Sequence, residues 1–200
     1  MILYDYILSA SCYKIRLMAA LLGVKLDLVA VDFHPGREHK GPSMLALNPA
    51  GTLPVLVDSD LVLTETNAML EHLARGTDWL GHDPCWLVMA GQLNRSLGFA
   101  RLHDMLHFPA DIATVRRTGV LCLRQLESHL TERRWAGQIY LCANRPTIAD
   151  IACFPNVALA PDGGVSLDDY PSIRLWLRAV RALPGFIEMP GIHRMHENRA

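Results

Sequence analysis

The sequence predicts two domains of different class, an α/β domain at residues 1–75 and an all-α domain at residues 84–200. Strand and hairpin patterns occur only in the first part, where they alternate with helical patterns. After residue 76 the strand patterns stop, and prolines and glycines separate one helical stretch from the next. Half of the 200 residues are apolar, which is enough material for a sizeable core.

The first domain has the predicted order β-α-β, a linker, then β-β-α. The predicted strands lie at 2–5, 26–31, 54–57 and 61–63. The predicted helices lie after Ser11 up to a C-terminal Gly23, at 43–47 and at 65–74. Because the first unit pairs its strands in parallel and the second is a hairpin, we expect a mixed four-stranded sheet covered by helices.

The second domain is predicted to be helical throughout. The predicted helices lie at about 84–107, 110–133, 147–159 and 171–183. Thr147 and Asp150 have the spacing of a capping box before an apolar helix, so we assign them a role in folding rather than in chemistry. His193 and His196 lie in a polar tail and are expected at the surface.

Composition and charge exclude several classes of function. The 19 Lys and Arg nearly balance the 20 Asp and Glu, so no basic surface for nucleic acid or an anionic membrane is expected. No apolar run is long enough to span a bilayer, and the N-terminus does not look like a signal peptide. The five cysteines form no C-x-x-C pair, which favours a reducing, cytoplasmic location over a disulfide framework.

Residues 47–56, LNPAGTLPVL, form the most informative segment. Pro54 stands where a strand should begin, and proline cannot donate a ladder hydrogen bond there. A cis Leu53–Pro54 peptide bond would explain this position, although the tetrapeptide alone does not require it.

Four separated motifs resemble the cytosolic glutathione S-transferases, with bacterial and zeta-class members most similar. The run LNPAGTLPVLVD followed by LVLTETNAMLEHLA resembles the N-terminal, thioredoxin-like domain of that family. SASCYKIRLMAALLGV resembles its first active-site loop and helix, and REHKGPSMLALNP the loop after its second strand. PTIADIACFP resembles part of its all-α domain. The motifs occur in the family's order and span nearly the whole chain.

The resemblance implies glutathione as cosubstrate and assigns residues to it. The backbone and hydroxyl of Thr66 would bind the γ-glutamyl carboxylate at a helix N-terminus, and Glu65 would bind the ammonium group. The alternative for this segment is that Thr64 or Thr66 simply caps the helix. Leu53, before Pro54, would pair through its backbone with the cysteinyl unit.

The same resemblance places cations for the glycyl carboxylate of glutathione at His39 and Lys40. Apart from the resemblance, these two residues would be read as an ordinary solvated loop.

The thiol of glutathione must be activated, because the thiolate is the nucleophile. A hydroxyl at the N-terminus of the first helix would stabilise it, and the resemblance favours Ser9, with Ser11 second. Tyr4 and Tyr6 fit a tyrosine-type site less well. Cys12 is a further candidate, as a reactive thiol of lowered pKa that would favour disulfide exchange; its alternative is a small buried residue.

The second domain is expected to supply an apolar pocket for an electrophile. The residues predicted to wall it are Leu102, Met105, Leu106 and Phe108. His103 and His107 could face a metal from one helix side, but a third ligand at suitable spacing is missing, so no metal is predicted.

The function implied by the resemblance is transfer of glutathione to a small hydrophobic electrophile by a cytoplasmic homodimer. Two alternatives remain: a glutathione-dependent isomerase or thiol transferase, and a non-enzymatic interaction protein on the same scaffold. Fold analogy alone does not decide among them.

Overall fold

The computed structural model describes residues 1–81 and 83–195, so His196 and the end of the predicted second domain lie outside the described residues. The strands are β1 (Ile2–Asp5), β2 (Asp27–Ala30), β3 (Val55–Asp58) and β4 (Leu61–Leu63). The helices of the first domain are α1 (Ala10–Leu22), α2 (Pro42–Leu47) and α3 (Thr66–Ala74). Those of the second are α4 (Pro84–Leu93), α5 (Phe99–Leu106), α6 (Ile112–Trp135), α7 (Ile148–Ala158) and α8 (Pro171–Arg181).

The four strands form one mixed sheet in the order β2-β1-β3-β4. Strand β1 runs parallel to β2 and antiparallel to β3, and β4 closes a hairpin with β3. Leu3 and Leu56 pair across β1 and β3 and are fully buried in the main core. The next pair, Tyr4 and Val55, points to the opposite face, where it packs with Val31 and Met44. The predicted fold class is confirmed.

Helix α1 carries clear signals at both ends. The Oγ of Ser9 accepts a hydrogen bond from the backbone N–H of Cys12 at 3.2 Å, which makes Ser9 the N-cap. Gly23 ends the helix with a φ of 67°, which only glycine adopts without a steric penalty. The start of α1 is therefore held in place by the side chain that the sequence marks as a catalytic candidate.

The predicted helix at 84–107 is interrupted. Between α4 and α5 the residues Asn94–Gly98 form a π-helical turn. Helix α5 then ends at Leu106, one residue earlier than predicted, because His107 is left-handed with a φ of 57°. Three short 3₁₀ segments that the sequence did not predict lie at Glu38–Lys40, Asp78–Leu80 and Ala160–Gly163.

One apolar core joins the two domains, and α7 runs through it. Asp150 near the start of α7 is fully buried, and its carboxylate accepts hydrogen bonds from the backbone N–H of Thr147, the backbone N–H of Leu141 and the indole of Trp176. These bonds compensate for burying the carboxylate. Asp150 thus has the structural role expected from the capping-box spacing.

Within residues 1–81 and 83–195, no helix has both the length and the apolar character that a membrane span requires. His193 is exposed, as expected.

Candidate active site

A cavity of about 460 Å³ lies between the two domains. The first domain contributes the start of α1, the loop that contains Phe33 and His39, and residues 51–53. The second contributes the π-helical turn, α5, Phe108 and Asn156 of α7. This cavity brings together one polar wall and one largely apolar wall.

Ser9 and Ser11 both line the cavity at the N-terminus of α1. The first backbone N–H groups of a helix lack partners within the helix, and the helix dipole places partial positive charge there. Ala10 and Ser11 are the first two residues of α1 and lie on the cavity wall. An anionic sulfur at this position would meet hydroxyl groups and a helix N-terminus together.

The two tyrosines considered from sequence lie in different places. Tyr4 is on β1 and packs with the small core beneath α2. Tyr6 lines the cavity, where burial and the nearby charge of Asp32 raise the pKa of its phenol. Tyr6 therefore remains protonated at neutral pH and can donate a hydrogen bond into the cavity.

The interpretation of Cys12 as a reactive thiol is wrong. Its side chain is fully buried, its Sγ accepts a hydrogen bond from the backbone N–H of Tyr6, and burial raises the pKa of the thiol to about 12. A thiol of such pKa is almost entirely protonated near neutral pH. The physical reason is that α1 turns Cys12 toward the core and away from the cavity.

Leu53 lines the cavity, and the Leu53–Pro54 peptide bond is cis, as the position of Pro54 suggested. The turn before it is held by Asn48, whose buried amide donates to the carbonyl and hydroxyl oxygens of Thr52 at 3.0 and 2.9 Å. The Oδ1 of Asn48 accepts from the backbone N–H of Ala50. The sequence NPAGT therefore builds the support for Leu53.

Glu65 and Thr66 are not among the residues that line the cavity. Glu65 is exposed and occupies the N-cap of α3, where no side chain caps the helix, so neither Thr64 nor Thr66 has a capping role. The β3–β4 register pairs Leu56 with Leu63. Because β3 and β4 are antiparallel, Leu53 before β3 and Glu65 after β4 both lie at the same end of this hairpin.

His39 and Lys40 line the cavity but differ in charge state. His39 is buried and stacks on Phe33 with a 4.2 Å separation of ring centroids. Burial and the adjacent Lys40 and Arg37 lower the pKa of His39, so the expected second cation is a neutral imidazole. The Nζ of Lys40 donates to the carbonyl of Ala50 at 2.9 Å and remains the exposed cation of this loop.

The predicted apolar wall is present, since all four of its residues line the cavity: Leu102, Met105, Leu106 and Phe108. The two neighbouring histidines do not face one site. The Nδ1 of His103 bonds to the carbonyl of Phe108 at 2.9 Å, whereas His107 is exposed beyond the end of α5. In the part of the chain that the structure describes, no group of three or more His, Cys, Asp or Glu is placed to hold a metal.

Sequence reasoning missed two polar residues in the helical half of the cavity, Arg101 and Asn156. Both are more than nine-tenths buried, and each has side-chain atoms without a hydrogen-bond partner among the described residues. The sequence nevertheless contains a feature that could have identified each of these two residues. Arg101 interrupts the apolar pattern of α5, and Asn156 is a polar residue in the otherwise apolar run of α7.

The protein thus belongs to the class of two-domain proteins in which a thioredoxin-like domain is joined to an all-α domain, with a cavity at the junction that opens on the start of the first helix. Residues 1–75 match the family model of the glutathione S-transferase N-terminal domain, and residues 109–179 match that of the C-terminal domain. The chain belongs to the glutathione S-transferase family.

Individual relatives agree with this assignment. A maleylacetoacetate isomerase of Pseudomonas aeruginosa is 31% identical over 92% of each chain. Glutathione S-transferase 2 of Anopheles gambiae is 28% identical over 88% of each chain. A solved structure described as a possible glutathione S-transferase from Rhodopseudomonas palustris superposes with a TM-score of 0.84 at 29% identity, covering 98% of this chain and 93% of that one. The predicted family and the prediction of a glutathione transferase are confirmed.

Proposed function

We propose that this protein binds glutathione against the first domain and transfers its thiolate to an electrophile held by the second. The observation that supports this most directly is the N-terminus of α1, with Ser9 and Ser11, on a cavity whose opposite wall includes the apolar residues of α5. A nucleophile and an apolar substrate would meet there at the domain junction.

The central and γ-glutamyl parts of glutathione would lie along the sheet edge. The backbone of Leu53, which lines the cavity, would pair with the cysteinyl unit. Thr66 at the uncapped start of α3 would bind the γ-glutamyl carboxylate with its backbone N–H and hydroxyl. Glu65 would bind the ammonium group.

Lys40 would bind the glycyl carboxylate through its charged amine. His39, being neutral, would contribute a ring N–H rather than a charge, because its Nδ1 has no partner among the described residues. This assignment modifies the sequence-based expectation of two cations while keeping both residues in the glycyl subsite.

Ser9 is the preferred group for stabilising the thiolate, with Ser11 second. The Oγ of Ser9 already accepts a hydrogen bond from Cys12, so its own proton is available to donate to sulfur. The thiolate would then attack an electrophilic carbon, forming a C–S bond as the leaving group departs with its electron pair. The proton lost from the thiol passes to solvent.

A second candidate is glutathione-dependent isomerisation, because the Pseudomonas aeruginosa relative is named maleylacetoacetate isomerase and the similarity spans 92% of both chains. Isomerisation would use the same thiolate to add to an unsaturated carbon and then leave again. Thiol transfer through Cys12 has lost its physical support, since that thiol is buried.

We also propose a cytoplasmic homodimer. All five cysteines are free thiols, which fits a reducing compartment. The edge strand β4 exposes Leu61 and Val62, which a second copy could cover. Sedimentation analysis would test the dimer, and a monomer at micromolar concentration would contradict it.

The proposed function is tested by calorimetric titration of glutathione into the wild-type protein, Glu65→Ala and Glu132→Ala. Glu132 is an exposed residue of α6 and serves as a matched control. We expect saturable binding to the wild type and the control, and at least tenfold weaker binding to Glu65→Ala. A folded wild-type protein that binds no glutathione would overturn the proposal.

A further inference from the structure

Among the residues that the structure describes, the cavity lining contains three cationic side chains and no carboxylate, and the carboxylate that pairs with Arg101 belongs to Asp162, outside the lining. The three cations are Lys40, Arg95 and Arg101. Lys40 lies in the half proposed for glutathione. The other two cations belong to the π-helical turn and α5, in the half proposed for the electrophile.

Arg101 is 6% exposed and is held from two sides. Its Nε donates to Asp162 Oδ2 at 3.0 Å, and its Nη1 donates to the carbonyl of Leu8 at 2.6 Å. The remaining nitrogen, Nη2, has no hydrogen-bond partner among the described residues. Leu8 directly precedes Ser9, so this buried cation is fixed close to the place where the thiolate would react.

Asn156 is 2% exposed, and neither Oδ1 nor Nδ2 has a hydrogen-bond partner among the described residues. A Cβ placed on Gly98 would lie 2.9 Å from Oδ1 of Asn156 and 3.0 Å from Oδ1 of Asn94. Two amide side chains therefore converge over Gly98 on the cavity wall. Leaving a buried amide unpaired is costly, so Asn156 is expected to have a hydrogen-bond partner that the described residues do not supply.

The π-helical turn contributes several of the residues that line the cavity. Asn94, Arg95 and Gly98 all belong to it and all line the cavity, and Arg101 follows on the next turn. A π-helical turn widens the helix by one residue and is frequent at functional sites. Its position here gives the apolar wall of α5 a polar, positively charged end.

We propose that Arg101, Asn156 and Arg95 form a subsite for a carboxylate on the electrophile, so that the preferred substrates are acidic rather than neutral. This inference rests on the proposed function and specifies its substrate class. The carboxylate accepts from the guanidinium groups and from the amide of Asn156, while the rest of the molecule packs on the apolar wall. Charge and hydrogen bonds together then orient the reactive carbon toward sulfur.

An acidic aryl chloride illustrates the chemistry. In 4-chloro-3-nitrobenzoate the thiolate of glutathione attacks the ring carbon that carries chlorine, a C–S bond forms, and chloride leaves with the electron pair of the C–Cl bond. The thiol proton goes to solvent, and no oxidant or reductant is needed. The product carries its carboxylate on the side of the ring opposite to sulfur.

The test is a calorimetric comparison of two such products, the glutathione conjugate with the ring carboxylate and the conjugate with a carboxamide in its place. Each spans both halves of the cavity, and neither requires turnover. We expect the wild type to bind the carboxylate conjugate at least tenfold more tightly than the carboxamide. In Asn156→Leu this ratio should fall at least threefold, whereas in Asn144→Leu, a control at an exposed asparagine, it should not change.

The melting temperature of Asn156→Leu distinguishes a role of Asn156 in binding the carboxylate from a role in stabilising the fold. Because Asn156→Leu removes two unpaired buried polar atoms, we expect the variant to melt at a temperature no lower than the wild type. Loss of the carboxylate preference together with a lower melting temperature would point to a structural role and overturn the assignment of Asn156. If that variant does not fold, Arg95→Gln at an exposed position supplies the same comparison, with Arg124→Gln on α6 as its control.

The outcomes distinguish this inference from the proposed function. Equal binding of the two conjugates, or binding of glutathione without binding of either conjugate, would overturn the carboxylate subsite and leave the proposed function standing. A folded protein that binds neither glutathione nor the conjugates would overturn both.

Discussion

The Nη1 of Arg101 in α5 donates a hydrogen bond to the carbonyl oxygen of Leu8 at 2.6 Å, across 93 residues of sequence. This bond ties the helical domain to the backbone directly before Ser9. The same guanidinium is paired through Nε with Asp162. One buried side chain therefore fixes the distance between the two walls of the cavity.

Replacing Arg101 with lysine should destabilise the protein by about 2–3 kcal/mol, because an ammonium group cannot reproduce two bonds of fixed geometry from one buried position. The measurement is urea unfolding followed by circular dichroism. Arg124→Lys, at an exposed position of α6, should change the free energy of unfolding by less than about 0.5 kcal/mol. Equal stability of the two variants would show that the Leu8 and Asp162 contacts contribute nothing.

Ser9→Ala should lower the conjugation rate by about 100-fold, because the hydroxyl that donates to the thiolate is lost. It should also cost about 1 kcal/mol of stability through loss of the α1 cap. Thiolate absorbance near 240 nm as a function of pH measures the pKa of bound glutathione, which should rise in this variant. If the pKa rises in Ser11→Ala or Tyr6→Phe instead, the role passes to that residue.

The cysteines should differ sharply in reactivity toward a thiol reagent such as 5,5′-dithiobis(2-nitrobenzoate). Cys85 is exposed and should react first, whereas Cys12 and Cys153 are fully buried and should react only after unfolding. Mass spectrometry of the labelled peptides identifies the order. We expect Cys12→Ala to keep glutathione conjugation, and loss of conjugation in a folded variant would restore Cys12 as a candidate catalytic residue.

Lys14 should give the protein a specific dependence of stability on pH. Its side chain is 2% exposed, and burial lowers its pKa to about 8. Between that value and the usual pKa of about 10.4, the unfolded chain holds a proton that the folded chain lacks, so Lys14 makes the free energy of unfolding rise with pH. At pH 7 the variant Lys14→Met should be more stable than the wild type by about 3 kcal/mol.

Urea unfolding between pH 7 and pH 9.5 measures this difference directly. The difference in the free energy of unfolding between Lys14→Met and the wild type should become smaller as the pH rises, because the folded wild type no longer buries a charge. Lys25→Met, at an exposed position, should show no such change. A constant gap for Lys14→Met would contradict the lowered pKa.

Several parts of the fold could be predicted because their causes are local. Gly23 ends α1, the Asp58-Ser59-Asp60 turn separates β3 from β4, and alternating apolar residues place Leu3 and Leu56 on one face of the sheet. Each of these features depends on residues within a few positions of one another. The family motifs around Leu53 and Ser9 are likewise short and continuous.

Other features of the site could not be predicted, because they depend on tertiary packing rather than on the local sequence. The first turn of a helix has the same sequence whether it faces a cavity or the core, so Cys12 could be read either way until α1 was oriented. The π-helical turn at Asn94–Gly98 leaves the apolar pattern of the helix nearly intact and gave no separate signal. The pKa of His39 is lowered first by burial in the folded loop, with a further contribution from the charges of Lys40 and Arg37.

The sequence by itself determined the order and type of the elements, the family, and the segments proposed to bind glutathione, because hydrophobic periodicity, turn residues and short motifs act over a few residues. Only the tertiary structure decided which buried groups meet. Arg101 reaches Leu8, and Asn156 faces Gly98, because α5 and α7 pack against the start of α1 and the π-helical turn. Contacts between residues far apart in sequence depend on how whole helices pack, and no local pattern encodes that geometry.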